Sequence, residues 1–401
     1  MNIRDMSSYA RAFMGIMHSQ RAFGGPLQAN VFLTNRCNLR CIHCLYYSPF
    51  VERPNTFETR RARAKSAEPP ALGYLADFQR LDANIEGTKN LIDSLIDMGT
   101  KRYIFSGAGE PFLHKNTLEF MGRIKHAGGA GTVFTNGTLL NAGLIDELLK
   151  MQFDELRITT LAGSNDVYMK THAGVGQNTF HNLRDNLIYL SERKAGLGLK
   201  KPEVTLIFVV IPQNYEDVSR FADFVKAVKA DRAMFNPVVT AGDPDLEKTL
   251  VLTSEQSAAL RKNLSKVKSF LESHRIVHNI EYFLKSFRSV LDTSSVYRII
   301  PCYMGWLSVM VDVRGLVYPC CRCYEPLGNV REERFQNIWN SQEYSRFRKE
   351  AINIYKRSEP LKGCECNSCT HFIANLRVFK MLHPIRGRSE SLKHSYPDQE
   401  I

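Results

Sequence analysis

The ten cysteines constrain this 401-residue chain more than any other feature, because they fall in two patches with none between residues 45 and 301. Cys37, Cys41 and Cys44 lie in the stretch LTNRCNLRCIHCLYY, and Cys302, Cys320, Cys321, Cys323, Cys364, Cys366 and Cys369 lie in the last quarter of the chain. Free cysteines used as core filler pack like any small apolar residue and would be scattered. Clustering at three- and four-residue spacings makes the sulfurs converge, and convergent thiols bind metal or form disulfides. No apolar run reaches the length of a membrane span. The N-terminal segment has no apolar core of signal-peptide type. The expected compartment is therefore the reducing cytoplasm, where disulfides are disfavoured and metal or redox roles favoured.

The rest of the sequence alternates short apolar runs with amphipathic stretches. Residues 29–34 (ANVFLT) read as a strand feeding the first cysteine patch. Further strands are expected at 102–106, 132–135, 154–160, 203–211 and 232–237. Helices are expected between them; the first carries Leu91, Ile92, Leu95 and Ile96 on one face and is ended by Gly99. Six strand–helix units imply a parallel sheet with helices outside, and six are too few to close an eight-stranded barrel. Met6, Ala10, Phe13, Met14 and Met17 fall at helical spacing, as in a helix packed on the domain. Residues 48–84, rich in Pro, Arg and Ala, read as an inserted flexible loop, and 253–295 as helical. The net charge of +12 suits an acidic partner, an anionic substrate or simply a solvated basic surface.

Cys37-x3-Cys41-x2-Cys44 sits just beyond the C-terminal end of the first strand, the edge at which parallel α/β barrels do their chemistry. A cubane iron–sulfur cluster usually takes four cysteines, one per iron, so three close sulfurs leave one iron open. An open coordination position marks a catalytic metal rather than a structural one. A structural zinc site with His43 as fourth donor is the alternative, and adjacent His43 and Cys44 would strain its tetrahedron. The spacing resembles the signature of the radical S-adenosylmethionine (SAM) enzymes, in which the open iron binds the amino and carboxylate groups of SAM. Ser106-Gly107-Ala108-Gly109-Glu110-Pro111 resembles that family's glycine-rich motif. The resemblance implies that Gly107, Gly109 and Glu110 hold the SAM amino group. Thr135-Asn136-Gly137 resembles the TNG that often ends the third strand, implying a SAM contact at Asn136. Arg157 and Thr159 fall where the family often places a base for the SAM carboxylate and a ribose-binding hydroxyl.

The second patch reads Cys302-x12-Gly315-x4-Cys320, with Leu327-Gly328-Asn329 and Ile338-Trp339 downstream, then Cys364-x-Cys366-x2-Cys369. It resembles the SPASM/twitch extension found C-terminal to many radical SAM barrels. The shorter, twitch form implies one auxiliary [4Fe–4S] cluster on Cys302, Cys320, Cys366 and Cys369, with Cys321, Cys323 and Cys364 spare. Cys323 is an alternative to Cys320, Cys364 an alternative to Cys366, and a four-cysteine zinc ribbon an alternative to the cluster. The resemblance gives an α/β fold: a partial (β/α)6 barrel with a small C-terminal cysteine-rich α+β SPASM/twitch domain. The expected organisation is an N-terminal helix (1–27), the barrel (28–237, with 48–84 inserted), a helical linker (238–300), the auxiliary-cluster domain (301–376) and a tail (377–401).

A chain of this type reductively cleaves SAM to methionine and a 5′-deoxyadenosyl radical, which takes a hydrogen atom from substrate. The implied net reaction is oxidation or cross-linking of a peptide or small natural-product precursor, with the auxiliary [4Fe–4S] cluster as electron relay and flavodoxin or ferredoxin as donor. A redox-neutral epimerase or dehydratase acting on a carbohydrate is the alternative within the family. A metal-containing nucleic-acid-binding protein is the alternative outside it; neither nucleic acid nor membrane is an expected partner. Tyr46, His114 and His172 are polar groups near the barrel mouth, and no catalytic acid or base is assigned.

Overall fold

The computed structural model describes residues 3–51, 56–65, 77–240, 244–286, 300–357 and 359–384. Six parallel strands form the centre: β1 (Gln28–Phe32), β3 (Arg102–Ser106), β4 (Ala130–Thr135), β5 (Glu155–Thr159), β7 (Glu203–Val210) and β8 (Arg232–Pro237). Two-residue strands β2 (Arg40–Cys41) and β6 (His172–Ala173) pair with each other outside this sheet. The main sheet is an open arc, as six strands require, and helices cross between its strands. It also extends beyond the six. β9 (Val277–His278) lies parallel to β8, and β10 (Ser308–Val311) lies parallel to β1, with β11 (Val317–Tyr318) antiparallel beyond it. All four residues of β10 are buried, as expected of a parallel strand covered on both faces. The cysteine-rich segment therefore shares a sheet with the barrel, and β10 sits beside the strand that carries the first cysteines.

Alternation along each strand separates two faces. Val31, Phe105, Val133, Leu156, Ile158, Leu206, Phe208 and Phe235 pack under the helices in one continuous core. Asn30, Thr132, Phe134, Glu155, Arg157, Thr159, Val209, Met234 and Asn236 point the other way and stay half-buried. A sheet face this polar and this accessible is a cradle for a ligand rather than a second core. The helix Ile85–Asp97 begins at Asn84, whose side chain accepts from the Gly87 N–H at 2.8 Å, and buries Leu91, Ile92 and Leu95. Truncating one such buried leucine costs about 2–5 kcal/mol. Gly99, at φ +87°, provides the left-handed turn that stops it.

Three sequence expectations change. Within 48–84, read as a flexible loop, the described residues include the helix Phe57–Ala64, and Arg60, Arg61 and Lys65 are paired with acids. Arg61 and Lys65 meet Glu325, Arg314 meets Glu58, and Arg60 meets Glu365. The helix is set by these distant acids, which local periodicity cannot register. Of 253–295, Ser254–Ser273 is helical, the chain then joins the sheet at β9, and 287–299 lie outside the described residues. At the C-terminal end the helix Phe372–Leu382 runs past residue 376, where the tail was expected to begin. The N-terminal helix Ile3–His18 packs with Gly15 against the Trp306 ring, so the start of the chain buttresses the cysteine-rich region.

Candidate functional site

β1 leads directly into the loop of Cys37, Cys41 and Cys44, and a dense set of hydrogen bonds fixes that loop. Thr34 Oγ1 donates to Asp82 at 2.5 Å, Arg36 pairs with Asp82 at 2.8 Å, and Arg36 Nη2 reaches the Leu113 carbonyl at 2.7 Å. The Tyr47 hydroxyl donates to the Asn35 carbonyl, and the Ser48 hydroxyl to that of Ile42 at 2.6 Å. Cys41 lies in β2, opposite His172. The Cys37 sulfur accepts the Leu39 N–H at 3.5 Å, and the Cys44 sulfur that of Tyr46 at 3.4 Å. Burial pushes all three thiols up, Cys37 to about 11, and Cys41 also feels the charges of Cys44 and Cys37. The sulfurs are thus near neighbours that stay protonated until a metal displaces the protons.

Among the described residues no three His, Cys, Asp or Glu side chains close on a single ion. His43 is pushed down to about 4 by burial and has a buried Nδ1 with no hydrogen-bond partner.

The glycine-rich segment after β3 abuts this loop. A side chain at Gly109 would sit 2.3 Å from the Arg36 carbonyl oxygen and 2.6 Å from the Asn35 carbonyl carbon, so only glycine fits there. The next N–H, of Glu110, donates to the Arg36 carbonyl at 2.8 Å. The Glu110 side chain, 2% exposed, accepts from Thr135 Oγ1 at 2.7 Å, the Asn136 N–H at 2.7 Å and the Phe112 N–H at 3.2 Å. Burial raises its carboxyl to about 7 against the pull of those donors. Asn136 donates from Nδ2 to Asn38 Oδ1 at 2.9 Å, and Asn38 donates to Thr138 at 2.8 Å. Cysteine loop, glycine turn and Asn-Gly turn form one hydrogen-bonded unit. Thr34, Asn38, Asp82 and Thr138 belong to it and carry no local signal that could have marked them, whereas Thr135 lies in the quoted Thr-Asn-Gly motif.

Arg157 and Thr159 share the inner face of β5. Arg157 Nε donates to Glu155 at 2.9 Å, the guanidinium lies 5.3 Å from the Phe134 ring, and Glu155 also accepts from Thr132 and Thr205 at 3.1 Å each. Thr160 points into the core and bonds the Ile207 carbonyl, leaving Thr159 as the hydroxyl on the cradle side. Two of the polar groups near the mouth have structural duties. His114 Nε2 bonds the Ala83 carbonyl, and His172 stacks on Tyr168 and is pushed down to about 3 by burial. Tyr46 stacks against Phe78 and is raised to about 12 by burial.

The second patch gathers around the β10–β11 hairpin. Asp312 accepts the N–H groups of Arg314 and Leu316 at 2.9 Å, and Gly315 turns at φ +83°, which accounts for the Cys–Gly–Cys spacing. Cys302, Cys320, Cys323, Cys364 and Cys369 are buried in one cluster with Phe347, Ile354 and Phe372, and the half-buried Cys366 packs against it. Burial pushes Cys302 and Cys320 well up; Cys302 also feels Cys366 and Cys369, and Cys320 feels Cys369 and Cys302. Cys323 and Cys364 face each other across an antiparallel bridge and are joined by a disulfide, contrary to the expectation from a reducing compartment. Their opposition in one bridge is a long-range feature that compartment arguments do not see. Cys321 turns to His371 at 3.5 Å and Thr370 at 3.4 Å. Burial pushes that thiol up, but the bonds and charge of His371 outweigh it and bring it to about 7. Each of the three extra cysteines thus has a partner outside the group of four.

An open parallel arc, with a three-thiol loop at the end of its first strand and a second buried thiol group on the adjoining strand, defines an enzyme built around iron–sulfur redox centres. The chain belongs to the radical SAM superfamily: residues 31–225 match that family, and residues 302–370 match the SPASM iron–sulfur cluster-binding domain. Its cofactors are accordingly SAM, a [4Fe–4S] cluster and an auxiliary cluster. It is 25% identical over 214 residues to the Fe-coproporphyrin III synthase of Methanosarcina barkeri, covering 52% of this chain and 43% of that protein. It is 24% identical over 322 residues to the subtilosin biosynthesis protein AlbA of Bacillus subtilis, covering 80% of this chain and 60% of that one. The chain thus spans less than two thirds of either relative. The crystal structure of Streptococcus suis SuiB bound to precursor peptide SuiA has the same fold, with a TM-score of 0.58 at 13% identity over 90% of this chain and 74% of that one. Among the described residues no helix is long and apolar enough to cross a membrane.

Proposed function

We propose that this enzyme modifies a peptide by radical chemistry, holding its SAM-binding cluster on Cys37, Cys41 and Cys44 and its auxiliary cluster on Cys302, Cys320, Cys366 and Cys369. The observation that carries the reading is the three-thiol loop hydrogen-bonded to the Glu110 turn at the end of β1. When bound, the first cluster, held by Cys37, Cys41 and Cys44, would supply the reducing electron for SAM cleavage, and the auxiliary cluster, held by Cys302, Cys320, Cys366 and Cys369, would supply electron exchange with substrate. The chain's own residues bind and orient. Glu110 offers a carboxylate to the SAM ammonium, a charge-assisted bond strengthened by burial. Gly107 and Gly109 let the turn pack against Phe32 and the Asn35–Arg36 backbone, which sets Glu110 in place, and Asn136 holds the loop through Asn38. Arg157, braced by Glu155, faces the SAM carboxylate, and Thr159 the ribose. Substrate enters over the polar inner face of the sheet. In domain terms the barrel spans 28–237 and the auxiliary unit 301–376, with an acidic flavodoxin or ferredoxin as electron donor to a basic protein.

AlbA and the SuiA-bound SuiB support a peptide substrate. The likeness to Fe-coproporphyrin III synthase favours a second reading, a tetrapyrrole substrate. Anaerobic reconstitution with iron and sulfide, then dithionite and SAM, tests both through the release of 5′-deoxyadenosine. Candidate precursor peptides encoded beside the gene are expected to raise that release about tenfold or more and to change in mass. Stimulation by iron coproporphyrin alone would transfer the assignment to the second reading.

SAM affinity should depend on pH in a defined direction. The Glu110 carboxyl titrates near 7, so it is anionic above that pH and neutral below it. The SAM dissociation constant is expected to rise as pH falls from 8 to 6, by up to about tenfold per unit below 7. In the SAM-free protein the sign is opposite. A folded-state pKa above the unfolded one stabilises the fold below about 4.5, and that contribution is lost as pH rises through 7. Equilibrium dialysis with radiolabelled SAM checks the first; a flat profile in wild type would remove Glu110 from the ammonium site.

A further inference from the structure

Arg60 lies in the inserted segment, far in sequence from the second cysteine patch, yet its side chain is only 6% exposed. Its Nε and Nη2 form a two-pronged pair with the Glu365 carboxylate at 3.1 and 3.0 Å. Nη1 donates to the Cys321 carbonyl at 3.1 Å and Nη2 to the Arg322 carbonyl at 2.9 Å. Cys321 follows Cys320, and Glu365 precedes Cys366. One guanidinium therefore ties together the two separate segments that carry the auxiliary thiols. Its flanks are closed by the rings of Phe57 at 5.7 Å and Tyr324 at 5.9 Å. Glu365 takes a second cation, Arg322, at 2.8 Å. The same helix docks through Glu58 on Arg314 of the hairpin turn.

We propose that Arg60 is a positioning residue of the auxiliary centre, clamping its two ligand-bearing segments and setting its reduction potential. This rests on the assignment of a cluster to Cys302, Cys320, Cys366 and Cys369. A cluster held by four thiolates is anionic and gains a further negative charge on reduction. A buried cation beside it favours the reduced state, and a buried carboxylate opposes it. Arg60 is suited to this because its planar fork satisfies two carbonyls and a carboxylate at once, which a lysine cannot. Glu365 balances Arg60 and Arg322, so the local charge is adjustable in both directions by single substitutions.

The test is a redox titration of the reconstituted full-length enzyme followed by electron paramagnetic resonance. The SAM-binding cluster is identified as the signal that changes on adding SAM, and the auxiliary one as the signal that does not. Arg60→Gln is expected to shift the one-electron reduction equilibrium of the auxiliary cluster at least tenfold towards the oxidised form, about 59 mV. The SAM-binding cluster should move less, and Arg60→Lys should recover at least half of the shift. Glu365→Gln should move the auxiliary cluster in the opposite direction. If Arg60→Gln cannot hold its auxiliary irons, Glu365→Gln decides: a rise of threefold or more supports the role, and no change or a fall overturns it. Arg60→Gln with its irons in place and an unmoved auxiliary potential also overturns it, as does an equal shift of both clusters or no recovery with lysine. A wild-type enzyme without a SAM-insensitive cluster would instead remove the auxiliary assignment itself, and with it any such role for Arg60.

Discussion

Replacing Cys41 with alanine is expected to lower iron from about eight to about four atoms per chain and to reduce 5′-deoxyadenosine release by at least ~10³-fold. The size of the effect follows from the site. On the proposed assignment three sulfurs each hold one iron of the SAM-binding cluster, so removing Cys41 leaves two protein ligands for a four-iron cluster. Stability should hardly change. The loop is fixed by other groups, among them Thr34 and Arg36 on Asp82, Tyr47 on Asn35 and Ser48 on Ile42. Burial also keeps the Cys41 thiol protonated before loading, so alanine deletes no charge and breaks no ion pair. Iron analysis with a thermal melt of the unloaded protein separates these statements. Full iron content in the variant would dismiss Cys41 as a ligand, and a large drop in melting temperature would mean that the loop itself had collapsed.

What local sequence could reveal is the scaffold. Apolar runs placed six strands to within a few residues, because a strand packed under helices on one face carries a buried apolar residue at every second position, as at Tyr103 and Phe105 or Leu156 and Ile158. The cysteine spacing marked both centres for the same reason: ligands to one cluster are close in sequence within each loop. What it could not reveal are the pairings across the chain. β10 lies against β1 although some 280 residues separate Gln28 from Ser308, and no local pattern names a strand's partner. Arg60 looked like part of a solvated basic run because its carboxylate is Glu365. Glu110 could be matched to a motif, but that Thr135 and Asn136 grip its two oxygens depends on β3 and β4 lying side by side.

Among the seven C-terminal cysteines, two substitutions should have opposite outcomes. Cys369→Ala is expected to cost the auxiliary cluster, again about four irons per chain. Substrate oxidation should fall by ~10²-fold or more, while SAM cleavage without substrate persists at the first cluster. Cys364→Ala should keep the full iron content. The difference comes from where the sulfurs go. Cys369 is buried with Cys302 and Cys320, with Cys366 packed against them, and acts on the charge state of all three. Cys364 is spent on Cys323 across the bridge that also aligns Tyr324 N–H with the Gly363 carbonyl. Losing that link should loosen the hairpin against the Cys366 segment. A crosslink closing a loop of this length contributes roughly 2–4 kcal/mol, so the unloaded protein should melt several degrees lower. Arg60, which grips the same two segments by hydrogen bonds, limits how far they can part. If Cys364→Ala instead lost four irons while Cys369→Ala kept them, the ligand would be Cys364. Cys323 would then be freed to compete with Cys320, whose sulfur lies 3.6 Å away.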